Sequence, residues 1–347
     1  MKILIHHFEK NAHAILRFGK NAEILGIYDE REKFNGIDPG EYLGLGKTNI
    51  KITNNFDDLL ERFADKADML VTTGEGLYFT KEWRVREWKE HIIKAIKKGL
   101  DIYTMSKIYY GEETNELKTL AKKHGVKFIE ASDPNAFEKY EKYALMASEE
   151  GIKTPVVNFT GTSMNSGKST AMFTILSILK KRGMKVGIIG TEPSSYFLDV
   201  DEQVIPEVLP TMRGAQVIMG AIKKIEVEKE PNIILVGSQT GLRAPVIDVK
   251  EGRAGAIVAW QILLGSAPSK IVLCSKWNRI KELEPHMNLI KYSINRPIIG
   301  IVINGFGASE DDLSKIINDL RREFNLPVVD VISNKEELEE LIDRLVK

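Results

Sequence analysis

Short runs rich in Val, Ile and Leu recur along the chain, and most are followed by stretches whose apolar positions return every three or four residues. Runs of the first kind suit strands covered on both faces, and stretches of the second kind suit amphipathic helices. In the first part the pattern predicts strands at 2–5, 23–28, 69–72, 101–104 and 127–129, with helices at 87–98 and 115–124. Gly99 and Gly125 stand just past those helices, where a left-handed C-cap is expected. Farther on, strands are predicted at 156–159, 185–189, 233–236, 270–274, 298–303 and 328–331. Helices are predicted at 211–224, 254–264, 280–292, 310–322 and 335–346, with another opening after the turn that follows 156–159. Strand and helix alternate throughout, so the expected fold class is α/β, with mainly parallel sheets and crossover helices.

Length and charge narrow the field. At 347 residues the chain is too long for one small core and suits two domains. Lys and Arg number 49 and Asp and Glu number 49, so no basic stripe favours a nucleic-acid partner. A single cysteine, Cys274, rules out a disulfide framework and a four-cysteine zinc site. No apolar run reaches membrane-spanning length, and the first strand turns polar at His6 and His7, too early for a signal peptide. A cytoplasmic protein with no membrane partner is expected.

The first domain, 1–132, reads as Rossmann-like without a dinucleotide fingerprint. The residues after its first strand are His6, His7, Phe8, Glu9, Lys10 and Asn11, and bulky side chains there obstruct a pyrophosphate. Asp29 ends the second strand roughly where a ribose-binding acid could stand. Thr72-Thr73-Gly74-Glu75-Gly76 follows the third strand as a loop or ligand edge, and Trp83 and Trp88 read as packing anchors. The stretch 133–154, led by Asp133-Pro134 and ending at Gly151 through Pro155, reads as a helical connector.

The strongest motif lies in the second domain, 155–347. Thr160-Gly161-Thr162-Ser163-Met164-Asn165-Ser166-Gly167-Lys168-Ser169-Thr170 joins a predicted strand to a predicted helix. A turn of this kind aims successive backbone N–H groups inward at the positive end of the helix and so cradles phosphate. The candidate cofactor-binding residues are Gly161, Thr162, Ser163, Asn165, Ser166, Gly167, Lys168, Ser169 and Thr170. Lys168 reaches the outer phosphates and Ser169 ligates Mg²⁺. The common spacing puts a glycine at 162, where this chain has Thr162; Gly161 comes one position early. This shifted form is similar to that of dethiobiotin synthetase and its ATP-dependent relatives. That resemblance makes Glu192, before Pro193, a metal-contacting or water-orienting acid, and Asn304 a purine-reading amide. The expected Walker B strand ends in Val236-Gly237-Ser238-Gln239-Thr240-Gly241 with no carboxylate. Gln239 and Arg243 are candidate substrate or phosphate contacts, Lys168 and Glu192 candidate catalytic residues, and Cys274 a core residue rather than a nucleophile.

The whole chain also resembles a two-domain bacterial and archaeal family whose members are described as D-glutamate N-acetyltransferases. The similarity is carried by Gly99-Leu100-Asp101-Ile102, Glu116-Leu117 through His124-Gly125, Lys81-Glu82-Trp83, Gly161-Thr162, Gly167-Lys168, Gly214-Ala215, Gln239, Gly265-Ser266, Pro268, Val272-Leu273-Cys274 and Arg279. It implies a Rossmann-like domain joined to a P-loop domain, assembled as a homodimer or higher homo-oligomer. The chain departs from the family pattern at Lys107, Ser132, Ser163, Ala244 and Ser275 and in the strand end 236–240, which suits a divergent member with a different small-molecule substrate. Three functions stay open. One is an ATP- and Mg²⁺-dependent phosphoryl-transfer or ligation enzyme acting on a small carboxylate or amino acid. Another is an N-acyltransferase using acetyl-CoA, and the third a nucleotide-binding regulatory protein.

Overall fold

The computed structural model describes residues 1–74, 82–105, 111–132, 135–206, 209, 211–244, 247–248, 253–330 and 338–347. They fall into two units. The first spans Met1–Asp133 and takes in Pro193–Asp199; the second is built from Pro134–Glu192, Val200–Val249 and Arg253–Lys347.

The first unit holds six strands: β1 (Lys2–His6), β2 (Glu23–Tyr28), β3 (Ile52–Thr53), β4 (Met69–Thr72), β5 (Asp101–Thr104) and β6 (Phe128–Glu130). They lie in the order β3-β2-β1-β4-β5-β6, and all pairings are parallel. That is the doubly wound Rossmann arrangement, with its switch point between β1 and β4. Alternate side chains of a strand face opposite sides. Leu4, Leu70 and Ile102 therefore pack on one face with Trp88, Ile92 and Leu117. Ile3, Ile5, Val71 and Tyr103 pack on the other with Phe8, Ile15 and Phe197. The helices are α1 (Lys10–Phe18), α2 (Pro39–Tyr42), α3 (Phe56–Phe63), α4 (Glu82–Lys97) and α5 (Gly111–Lys123). Gly99 and Gly125 have φ of 84° and 70°, the left-handed stops expected of them. Trp88 is a packing anchor, 1% exposed. α1, α2, β3 and α3 were not expected from the pattern. The signal for α3 was present in Asn55, whose side chain accepts from the Asp58 N–H at 3.1 Å, followed by Phe56, Leu59, Leu60 and Phe63 at helical spacing.

In the second unit the helix α6 (Ala136–Glu150) precedes β7 (Val156–Gly161), α7 (Lys168–Lys181), β8 (Val186–Gly190), β9 (Glu202–Gln203), α8 (Thr211–Lys229) and β10 (Ile233–Gly237). Then come β11 (Ile247–Asp248), β12 (Arg253–Ala254), α9 (Ala256–Ser266), β13 (Lys270–Lys276), α10 (Leu283–Ser293), β14 (Ile298–Asn304), α11 (Glu310–Phe324), β15 (Val328–Asp330) and α12 (Leu338–Val346). Seven strands form one parallel sheet in the order β15-β14-β13-β7-β10-β8-β9. β11 and β12 pair antiparallel. The 133–154 stretch is more than a connector: Ala136 and Tyr140 of α6 are buried in a core with Ile218, Ala221 and Ile222 of α8. A helix expected at 280–292 begins only at Leu283, because Trp277–Glu282 is a 3₁₀ segment interrupted by non-helical backbone at Arg279.

Close helix packing accounts for two of the glycine positions singled out above. A Cβ on Gly265 would lie 2.4 Å from the Ala215 carbonyl oxygen, and one on Gly214 would lie 2.8 Å from the Gln261 amide carbon. α8 and α9 thus meet through glycine. Gly265→Ala should force the two helices apart and lower stability by about 2 kcal/mol, as measured by urea unfolding. Unchanged stability would show that the contact is slack.

Glu75, Gly76, Lys81, Lys107, Asp133, Pro134 and Val331, with the first residues of the helix expected at 335–346, lie outside the described residues, as does the side chain of Trp83. Among the described residues no helix is long and apolar enough to cross a membrane.

Candidate functional site

β7 is buried along its whole length and sits between β13 and β10, so its C-terminal end opens at the centre of the sheet edge. The turn that follows runs directly into α7. Gly167 caps that helix at φ 92° and Asn165 has φ 55°, both left-handed, and the cap makes no side-chain hydrogen bond. The first-turn amides of a helix need acceptors. Here the N–H groups of Asn165, Ser166 and Gly167 donate to no other atom among the described residues. Successive free amides at a helix N-terminus make an anion nest.

Lys168 lies inside this turn, 6% exposed. Its Nζ donates to the Ser163 carbonyl at 3.0 Å, the Thr240 carbonyl at 3.3 Å and Ser166 Oγ at 3.4 Å. Lys168 thereby bridges the turn to the loop after β10. Gly161 makes room for it: a Cβ there would stand 2.3 Å from Ser166 Oγ and 2.8 Å from Lys168 Cδ. Thr162, at the usual glycine position, is anchored instead. Its N–H donates to the Cys274 carbonyl at 2.9 Å, and its Oγ1 bonds Ser275 Oγ at 2.9 Å. Ser163 Oγ turns to the Met164 carbonyl, while Ser169 and Thr170 open the helix half-buried.

The flanking candidates have defined partners. Asn304 Nδ2 donates to the Asn165 carbonyl at 2.7 Å, and its Oδ1 accepts from the Phe306 N–H at 3.1 Å. It thus clamps the tip of the turn, and reading a purine edge would mean exchanging those bonds. Gln239, buried, donates to the Thr191 carbonyl, whose own hydroxyl donates to the Gly237 carbonyl at 2.8 Å. Glu192 follows, half-buried, with its carbonyl accepting from Gln203 at 3.3 Å. Gln239 and Glu192 therefore belong to one side of the turn, at the ends of β10 and β8. Arg243 pairs with Glu282 at 2.8 Å, both more than 40% exposed. Burial pushes the Cys274 thiol up to about 12, as expected of an inert core residue. Among the described residues no cluster of three His, Cys, Asp or Glu has metal-binding geometry.

Sequence reasoning assigned no site role to the far side of the turn, where Lys276 ends β13, Arg279 follows it, and Phe306 follows β14. Lys276 sits in register with Asn304. Burial, and then the Arg279 guanidinium, holds the Lys276 ammonium below its ordinary value.

In the first unit the corresponding sheet edge is filled. Asp29, fully buried, accepts from the Phe8 N–H at 2.7 Å and from Arg31 Nε and Nη2 at 2.7 and 2.6 Å. A ribose would have to displace the arginine. His6 Nε2 bonds His91 Nδ1 at 2.9 Å, and His7, at φ 83°, lies 2.9 Å from Glu30. Tyr28 donates to Glu87 at 2.9 Å.

Residues 144–341 match the family model described as the P-loop domain of DUF1611, a domain of unknown function, and residues 32–134 match its Rossmann-like N-terminal domain. No curated protein matches the sequence. The crystal structure of a DUF1611 family protein from Anabaena variabilis is similar over 99% of this chain and 98% of that one, with a TM-score of 0.74 at 17% identity. Two looser likenesses are to a nucleotide-binding protein from Archaeoglobus fulgidus in complex with ADP (TM-score 0.36, 11% identity, 62% of this chain and 92% of that one) and to S. aureus homoserine dehydrogenase (TM-score 0.30, 15% identity, 39% and 34%).

Proposed function

The chain belongs to the DUF1611 family, and from that premise we propose that its P-loop domain is an enzyme site that binds the phosphates of a nucleotide and acts on a small carboxylate or amino acid. One observation carries this reading: the uncapped, left-handed entry to α7, with free amides at Asn165, Ser166 and Gly167 beside the enclosed Lys168 ammonium. A phosphate would take up those amides and draw hydrogen bonds from Lys168, each worth more than a neutral bond because the partner is charged.

With ATP as donor, the residues divide the work. The turn from Gly161 to Thr170 holds the phosphate chain, and Lys168 stabilises charge on the transferred group. The acceptor carboxylate is held on the Thr191–Glu192–Gln239 side. Its oxygen forms a bond to the terminal phosphorus as the bond to the bridging oxygen breaks and ADP leaves. Mg²⁺ would be held by the Ser169 hydroxyl with Glu192, and it supplies charge neutralisation. The fit is partial, because β10 ends without a carboxylate.

That missing acid favours a second reading. In N-acyl transfer from acetyl-CoA the same nest would hold a cofactor phosphate, and no hydrolysis or metal would be needed. The amino-acid nitrogen would attack the thioester carbonyl, and the thiol would leave.

Calorimetric titration of the full chain with ATP, with and without MgCl₂, and separately with acetyl-CoA tests both. Micromolar binding of one of them is expected. Magnesium-dependent ATP binding followed by turnover with a carboxylate supports the first reading, and acetyl-CoA binding indifferent to magnesium supports the second. No binding of either overturns the site assignment.

A further inference from the structure

Two cations stand beside the turn without an acid. Among the described residues neither Lys276 nor Arg279 pairs with a carboxylate. Arg243, close in sequence space to neither, takes Glu282 for itself. Lys276 is half-buried, and its burial and the neighbouring exposed Arg279 both disfavour its charge, which a bound anion would offset.

Their backbones are tied to the phosphate turn. Ser275 Oγ contacts both Thr162 Oγ1 at 2.9 Å and the Arg279 carbonyl at 3.2 Å. Arg279 itself breaks the 3₁₀ segment, at φ −128° and ψ 23°. Lys276 shares a strand face with Cys274, two residues back, and the Cys274 thiol feels the charge of Lys168. That face of β13 therefore looks toward the enclosed ammonium. Phe306 completes the group. The residue is 74% exposed, although its backbone is held at both ends, the N–H by Asn304 and the carbonyl by Trp277 Nε1 at 3.1 Å. An uncovered ring on a pinned backbone offers a stacking face to a base.

We propose that Lys276 and Arg279 form a second anion subsite, which takes a phosphate on the ribose of a nucleotide whose 5′ phosphates lie in the turn and whose base stacks on Phe306. The inference rests on the phosphate-binding reading above and names the ligand class: a nucleotide phosphorylated at two separate places.

The test is calorimetric titration of the full chain with ADP and with the 2′-phosphorylated and 3′-phosphorylated forms of ADP. One phosphorylated form should bind at least tenfold more tightly than ADP, and the two arms distinguish the 2′ from the 3′ position. In the double variant Lys276→Ala/Arg279→Ala the preference should vanish, so that all three ligands bind within threefold of one another. Phe306→Ala should weaken all three alike, since the base is common to them. Equal binding of the three by the native chain overturns the subsite and leaves the phosphate turn standing. A preference that survives the double substitution also overturns it. No binding of any of the three overturns both.

Discussion

Lowering the pH from 7.5 to 5 should cost the first unit several kcal/mol of stability, with a fall in its melting temperature that scanning calorimetry or circular dichroism of the full chain will resolve. Burial, and then the neighbouring His7 and His91, holds His6 well below its ordinary value. Burial, then Lys94 and His7, brings His91 down to about 4, against a weaker opposing pull from Asp57. Burial, then Arg31 and Arg17, brings His13 down to about 4, against the Phe8 backbone and Asp29. Each folded value is depressed, so the unfolded chain takes up protons first as pH falls. The contribution to stability is complete above about 6.5 and is lost as the pH falls toward 4. For a group moved from 6.5 to about 4, the loss by pH 5 is about 2 kcal/mol. Against a typical domain stability of about 5–15 kcal/mol, a few such groups decide the outcome. His91→Phe sharpens the test. The ring at 91 stacks on Phe56 at 4.0 Å, so a phenyl group preserves the stack while removing one titrating site. The slope of stability against pH between 5 and 6.5 should fall by about one proton. A melting temperature flat over that range would refute the buried neutral network.

Much of this architecture was legible in the chain, and the reasons are local. β4 and β10 stand where apolar runs were read as strands, because a strand covered on both faces needs nearly unbroken apolar sequence. The phosphate turn was legible because strand, glycine-rich loop and helix adjoin in sequence. α1 was not, since the polar run from His6 to Asn11 hides its start, and Glu9 makes no side-chain cap there. The partners of the flanking residues were not legible either. Asn304 reaches Asn165 across 139 positions, and Gln239 reaches Thr191 across 48. Such contacts are set by strand order, which a single sequence does not state. The same limit hid a site role for Lys276 and for Arg279, which marked only the family resemblance. Nothing in their spacing points to a ligand, and the adjacency of β13 and β7 is what brings them to the turn.

That adjacency also explains the threonine at 162, held by Cys274 and Ser275, whereas the glycine at 161 is required by Ser166 and Lys168 of the turn itself and leads to the second large effect. Gly161→Ala should leave the fold nearly intact yet reduce affinity for the phosphate ligand by about 10- to 100-fold. A Cβ at 161 would meet Ser166 Oγ at 2.3 Å and Lys168 Cδ and Nζ at 2.8 and 3.0 Å, all of them atoms of side chains that can swing away. The cost to folding is correspondingly small, on the order of 1 kcal/mol. The cost to binding is larger, because the displaced ammonium loses a charge-assisted hydrogen bond worth about 1.5–3 kcal/mol. Gly241→Ala provides the contrast. Its Cβ would lie 2.3 Å from the Thr162 carbonyl oxygen and 2.6 Å from the Thr162 carbonyl carbon, and backbone held by Cys274 on the other side has nowhere to go. That variant should lose about 2–3 kcal/mol of stability along with its affinity. Thermal melting and calorimetric titration on the two variants separate the outcomes. If Gly161→Ala binds as tightly as the native chain, Lys168 does not touch the phosphates, and the close approach at residue 161 serves packing alone.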